Sequence, residues 1–211
     1  MDKKNIEIYK QLEKKFGIAS CELDFKNNYE LVVAVILSAR CTDKRVNIIS
    51  KELFKKYPTV YDLANANIED VQKLIYSCGF YKNKSKSIVS MARDVVANHN
   101  GEIPSDFDSL VRLAGVGRKT ANVVLSVGFK KNAIAVDTHV FRVSNRLGIS
   151  NSKTPFECET QLQKAIDRDK WGQFHHYLVL FGRYTCSSRS PKCDICELKM
   201  LCKYFKNKGK C

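Results

Sequence analysis

The sequence predicts an all-α protein. Apolar residues recur at helical spacing along most of the chain, no pair of alternating runs flanks a hairpin signal, and no βαβ rhythm appears. Taken in chain order, Ile8, Leu12 and Phe16 share one face of a first helix. Residues 31–37 form an apolar run with the composition of a buried strand. With no partner signal nearby, a buried helix is expected there instead. Asn67 is an expected N-cap, with Val71 and Ile75 on the inner face that follows. Ile88, Met91, Ala92, Val95 and Val96 repeat at i, i+3, i+4, i+7 and i+8, and Gly101 lies just past the expected end of that helix. Ser105 with Asp108 reads as a capping box, Asp replacing the usual Glu or Gln, and opens a short helix through Leu110 and Val111. Val123, Val124 and Val127 mark a further helix, and residues 206–211 read as a frayed end.

The chain has 211 residues, enough for one or two small domains, and 44% of them are hydrophobic, which supports a packed core and argues against disorder. Lys and Arg outnumber Asp and Glu by 36 to 22, a net charge of +14. Such an excess suits a polyanionic partner, and nucleic acid is the commonest; a generally lysine-rich surface is the plainer reading of the same number. The first fifteen residues are polar and charged, with no apolar h-region, and the run at 31–37 is too short to span a bilayer. A soluble, cytoplasmic protein without a membrane partner is expected, associated with the nucleoid if the source is bacterial.

The most informative stretch is LAGVGRKTA at residues 113–121. Gly115 and Gly117 flanking Val116 fit a tight turn that needs unusual backbone angles. A turn of this kind exposes backbone N–H groups from Gly115 to Gly117, and the following helix points its N-terminus the same way. Together they form a site for a phosphate oxygen, which positions a DNA backbone without reading its sequence. A lone GxG would be read as an ordinary helical corner. Cys186, Cys193, Cys196 and Cys202 follow a C-x6-C-x2-C-x5-C spacing. Four thiolates so close in sequence suit zinc or an iron–sulfur cluster, and spacing alone does not choose between them. Cys21, Cys41, Cys78, Cys158 and Cys211 lie apart and read as small apolar or surface residues.

LAGVGRKTA resembles the helix-hairpin-helix motif of the DNA glycosylase superfamily. Lys119 within it, and Asp137 within VDTHV at 136–140, resemble the paired lysine and aspartate of the endonuclease III family. The likeness runs from LVVAVILSAR at 31–40 to the terminal cysteines. It implies a two-lobed all-α glycosylase fold. Residues 22–131 would form a six-helix barrel domain holding the hairpin at about 105–129. Residues 1–21 with 132–211 would form the second lobe. DNA would lie between the lobes, with Lys119 and Asp137 facing each other. The resemblance assigns a 4Fe–4S cluster to the four clustered cysteines, as a staple for the loop 187–192 that presents Arg189 and Lys192 to the phosphate backbone. It also implies two wedge residues that fill the gap left by an extruded nucleotide. Arg40 stands in LSARCTD (37–43) where the family usually has glutamine, and Phe80 stands in GFY (79–81) where leucine is more usual. An arginine can hydrogen-bond an orphaned base and a phenylalanine can stack in the gap, although simple core packing is the plainer role for Phe80. Ala114 replaces the hairpin's usual proline.

The residues suit the chemistry. Lys119 falls in the first turn of a helix, where the positive helix end, Arg118 beside it and partial desolvation all favour the neutral, nucleophilic amine. Attack at C1′ of a deoxyribose would release the base and leave a Schiff base, and loss of the C2′ proton would expel the 3′-phosphate by β-elimination. Asp137 would stabilise positive charge on the sugar, and as a bare sequence feature it is equally an N-cap for Thr138 onward. His139 reads as supporting structure. The expectation is therefore a monomeric enzyme that excises oxidised pyrimidines from double-stranded DNA and cleaves abasic sites. A monofunctional glycosylase for mismatched or alkylated bases and a non-catalytic DNA-binding module are the alternatives.

Overall fold

The computed structural model describes residues 1–208; the expected frayed end and Cys211 fall partly or wholly outside them. In chain order the helices are α1 (Lys3–Phe16), α2 (Asn28–Ser38), α3 (Asp43–Lys56), α4 (Val60–Ala64), α5 (Ile68–Ile75), α6 (Tyr81–Asn98), α7 (Phe107–Arg112) and α8 (Arg118–Val123). They continue with α9 (Thr138–Leu147), α10 (Pro155–Ala165), α11 (Trp171–Tyr184) and α12 (Lys203–Lys208). The described residues contain no strand, and none of their helices is long and apolar enough to cross a membrane. The chain divides into two compact units, one of residues 22–130 and one of residues 1–21 with 131–211.

The unit of residues 22–130 is built around α2. Every residue of α2 from Tyr29 to Leu37 is buried, and α3, α6 and α8 pack on it. The apolar run is a helix because its ends are closed as a helix. Asn27 accepts from the Glu30 N–H at 2.9 Å, and the Glu30 carboxylate accepts from the Lys26 N–H at 2.7 Å. Asn67 caps α5 by accepting from the Glu69 N–H at 2.8 Å, with Val71 and Ile75 buried beyond it. In α6, Ile88, Met91, Ala92 and Val95 are buried and Val96 half-buried, and the Gly101 N–H closes the helix end by donating to Val95 O at 3.0 Å. The unit holds seven α-helices rather than six. The count includes the five-residue α4, which a Thr59–Asp62 capping box closes at its start.

The other unit packs α1, α9, α10 and α11 on one core. Ile8 and Leu12 of α1 meet Val140 and Val143 of α9 and Phe174, Tyr177, Leu178 and Phe181 of α11. Phe16 is half-buried beside Tyr177, the ring centroids 6.4 Å apart. Asp2 caps α1 by accepting from the Asn5 N–H at 2.7 Å.

Candidate active site and nucleic-acid interface

The hairpin opens one residue later than expected. Asp106, not Ser105, caps α7, accepting from the Ser109 N–H at 2.8 Å, and that bond holds the Asp106 carboxyl below its ordinary range. Between α7 and α8 the Leu113 N–H donates to Leu110 O and the Val116 N–H to Leu113 O. Val116 is buried at 4% exposure, so it packs the corner, and its N–H is not offered outward as expected. The N–H groups of Gly115 and Gly117, and of Lys119 and Thr120 in the first turn of α8, have no partner among the described residues, and no side chain caps this helix. The two glycines differ. Gly115 has φ +79°, and a Cβ there would stand 2.9 Å from Ser87 Cβ on α6. Gly117 is extended, with φ −88° and ψ 177°, and a Cβ there would meet nothing within 4 Å. The chain's own conformation therefore demands glycine at Gly115 and not at Gly117, contrary to the expectation for both. Beyond Gly117, α8 continues through a π turn at Val124–Gly128.

Lys119 is exposed and makes no hydrogen bond or ion pair with the described residues. Protein burial thus does not supply the desolvation expected for it. Arg118 beside it lies over the Phe107 ring, 4.9 Å from the centroid, which holds its charge next to the helix end.

Arg40 and Phe80 are brought together. The guanidinium carbon of Arg40 lies 5.3 Å from the centre of the Phe80 ring. Phe80 is 57% exposed, so it does not serve the core. Both residues adopt left-handed backbone, φ +53° and +62°, a conformation that costs a non-glycine residue about 1–2 kcal/mol each. Lys84 holds the two loops in place. It is 6% exposed, and its ammonium donates to Leu37 O at 2.8 Å and Ala39 O at 2.6 Å and contacts Cys78 Sγ at 3.1 Å. Those carbonyls belong to the C-terminal end of α2, where a cation is favoured by the helix dipole. Sequence reading missed Lys84, because nothing in its spacing separates it from the solvated lysines beside it.

Asp137 caps α9 and is half-buried. Its Oδ1 accepts from the His139 and Val140 N–H groups, each at 2.8 Å, while Oδ2 takes no bond from the described residues. The capping role weighed for it is therefore present, with one carboxylate oxygen left over. His139 Nδ1 stands 3.1 Å from Arg142, whose guanidinium also donates to Gly182 O at 2.9 Å and Cys186 O at 3.1 Å. One turn on, Arg146 donates to Cys186 Sγ at 3.3 Å, Ser187 O at 2.7 Å and Ser188 O at 2.8 Å. These two arginines tie the capped helix to the loop 187–192. Their i, i+4 spacing after Asp137 is the signal that sequence reading passed over.

Cys186, Cys193, Cys196 and Cys202 line one small cavity of about 20 Å³, together with Arg146, Leu147 and Phe181. Burial pushes the Cys196 thiol up to about 11, with Glu197, Cys186 and Cys202 adding to it against the Leu198 N–H. Among the described residues no three His, Cys, Asp or Glu side chains are drawn close enough to hold a metal ion. The donor set nevertheless suits a thiophilic metal group: the free thiols of Cys186, Cys196 and Cys202 line one space, with a guanidinium on Cys186, while the Cys193 sulfur is in a disulfide that would have to open for it to join them. Arg189 and Lys192 on the adjoining loop are exposed.

An all-helical unit carrying a glycine hairpin with unpartnered N–H groups defines a class of DNA-handling proteins. Residues 33–168 match the family described as HhH-GPD superfamily base excision DNA repair protein. The chain is 47% identical over 196 residues to endonuclease III of Bacillus subtilis (strain 168), covering 92% of this chain and 90% of that one. It is 42% identical over 201 residues to endonuclease III of Rickettsia conorii, covering 95% and 96%. A solved structure of a trapped endonuclease III–DNA covalent intermediate superposes with a TM-score of 0.93 and 44% identity over the whole of both chains. The chain belongs to the endonuclease III family, base excision repair enzymes that are both DNA glycosylases and AP lyases.

Proposed function

We propose that this enzyme excises oxidised pyrimidines from double-stranded DNA, with Lys119 as the nucleophile for both base release and strand cleavage. The single observation that carries the reading is the state of Lys119: exposed, without an ion-pair partner among the described residues, in the first turn of a helix where its own N–H and that of Thr120 are unpartnered among those residues. A phosphate oxygen that accepts from the N–H groups of Gly115, Gly117 and the first turn of α8 brings the DNA backbone against this lysine. The DNA then supplies the covering that the protein does not, and the amine attacks C1′ of the extruded nucleotide. The Asp137 oxygen left over from capping stabilises positive charge on the sugar as the base departs. Loss of a C2′ proton from the Schiff base completes β-elimination. Arg40 and Phe80 occupy the gap in the helix, the arginine reaching the orphaned base and the ring stacking. Arg189 and Lys192 meet phosphates nearby, and the enzyme works as a monomer. The covalent DNA intermediate solved for the endonuclease III neighbour supports an enzyme nucleophile in this fold.

Cys186, Cys193, Cys196 and Cys202 would hold a 4Fe–4S cluster, which would supply a rigid anchor for the loop 187–192. Arg146 already holds that loop by two of its carbonyls.

Borohydride trapping on duplexes carrying a damaged pyrimidine tests the central claim. The enzyme becomes covalently attached to DNA, and Lys119→Gln does not while retaining binding. Absence of trapping by the unaltered enzyme ends the lyase reading, and trapping by Lys119→Gln reassigns the nucleophile.

A further inference from the structure

Two cysteines that neither the clustered ligands nor the lysine chemistry uses meet beside the wedge. Cys41 follows Arg40, and Cys78 precedes Gly79 and Phe80. The two loops touch here, since a Cβ on Gly79 would lie 3.2 Å from the Arg40 carbonyl oxygen. The Cys41 and Cys78 thiols interact across this contact, and the Gly79 backbone lies beside Cys41. Cys78 is buried, donating to Leu37 O at 3.3 Å with the Lys84 ammonium 3.1 Å from its sulfur. Cys41 is half-buried, and both are free thiols. An accessible thiol thus sits against a buried one that has a cation beside it.

We propose that Cys41 and Cys78 form an oxidation site, at which a peroxide closes a disulfide that locks the wedge loops and arrests excision. The consequence for excision rests on the reading of Arg40 and Phe80 as the wedge. The Cys41 sulfur attacks one peroxide oxygen; the O–O bond breaks, and hydroxide leaves as water with the thiol proton, giving a sulfenic acid. The Cys78 sulfur then attacks the Cys41 sulfur. An S–S bond forms, the S–O bond breaks, and the hydroxyl leaves as a second water with the Cys78 proton. Two thiols are oxidised and hydrogen peroxide is reduced to two waters. The Lys84 ammonium, 3.1 Å from the Cys78 sulfur, lies beside the atom that makes this second attack. Burial and the Cys78 neighbour raise the Cys41 thiol, against the pull of Lys84 and the Gly79 N–H, so the first step needs sustained peroxide.

Closing the pair to a bond of about 2.05 Å withdraws Cys78 from Leu37 O and Lys84 and draws residue 40 toward residues 79–80. Arg40 and Phe80, already stacked, then cannot part to admit an orphaned base. Hairpin contacts to phosphate are untouched, so DNA is bound and not processed.

The test uses the full-length protein with its metal group bound, exposed to hydrogen peroxide while the visible absorbance of that group is followed. Peptide mass spectrometry finds Cys41 and Cys78 joined and lighter by two hydrogens. Excision falls several-fold at unchanged DNA affinity, and dithiothreitol restores it. Cys41→Ala, compared with its own untreated sample, is insensitive to the oxidant, and Cys78→Ser serves as the second variant should the first fold poorly. No Cys41–Cys78 linkage at excess peroxide overturns the proposal, as does equal loss of activity in Cys41→Ala. A linked protein that excises at full rate refutes the lock while Arg40→Ala and Phe80→Ala remain impaired. If those variants also excise normally, it is the wedge reading that has failed.

Discussion

The two hairpin glycines separate folding from DNA contact, and alanine at each gives opposite outcomes. At Gly115, φ +79° imposes about 1–2 kcal/mol on any residue with a Cβ. The new carbon would also stand 2.9 Å from Ser87 Cβ and 3.3 Å from its Oγ, inside the optimum near 3.5–4.0 Å, which adds about 1–2 kcal/mol of overpacking. Gly115→Ala therefore destabilises the protein by about 2–4 kcal/mol. At Gly117, φ −88° suits any residue and the Cβ meets open space. Reduced freedom of the unfolded chain offsets the poorer N-cap, and stability changes by no more than about 0.5 kcal/mol. That open space is where a phosphate would approach, so Gly117→Ala weakens DNA binding about tenfold, the equivalent of about 1.4 kcal/mol. Urea unfolding followed by circular dichroism reads the first quantity, as a shift in midpoint at constant slope. Fluorescence anisotropy with a labelled abasic duplex at fixed salt reads the second. Unchanged affinity for Gly117→Ala, with the fold intact, would refute the idea that the DNA backbone approaches this turn.

Asp137→Asn keeps an Oδ1 acceptor for the His139 and Val140 N–H groups, so its stability stays near that of the unaltered protein while excision collapses; Asp137→Ala loses both, with about 1–2 kcal/mol of stability gone with the cap. An Asp137→Asn variant that excises normally would confine this residue to capping. Lys84→Met leaves the Leu37 and Ala39 carbonyls without their ammonium and costs about 2–3 kcal/mol in urea unfolding, with a larger fractional loss of excision than of affinity for undamaged DNA. Iron and sulfide analysis of the purified protein finds four of each per chain and a brown colour. Stripping the iron lowers DNA affinity at low salt by freeing the loop that carries Arg189 and Lys192, and bound zinc in place of iron would revise the assignment.

Much of this protein is legible in one dimension. Helical periodicity marks α1, α5 and α6, because a helix buried on one face must repeat its apolar residues at 3.6, and those residues pack as the spacing requires. The hairpin string, the aspartate of VDTHV at 136–140, and the four-cysteine spacing carry the family, because the chemistry they serve is local in sequence. The capping residue of α7 was misread by one position: Ser105 and Asp106 are both good N-caps, and only the register of packing chooses between them.

What the tertiary structure alone decided are the pairings between residues far apart in the chain. Arg40 meets Phe80, Cys41 meets Cys78, and Lys84 meets the end of α2, across separations of about forty residues that no local pattern records. The demand for glycine at Gly115 comes from its φ of +79° and from α6 pressing on the turn, while Gly117 is left facing open space. Local sequence sets which backbone hydrogen bonds can close. Which side chains then meet depends on how helices pack, and that is a sum over the whole core that no single segment contains.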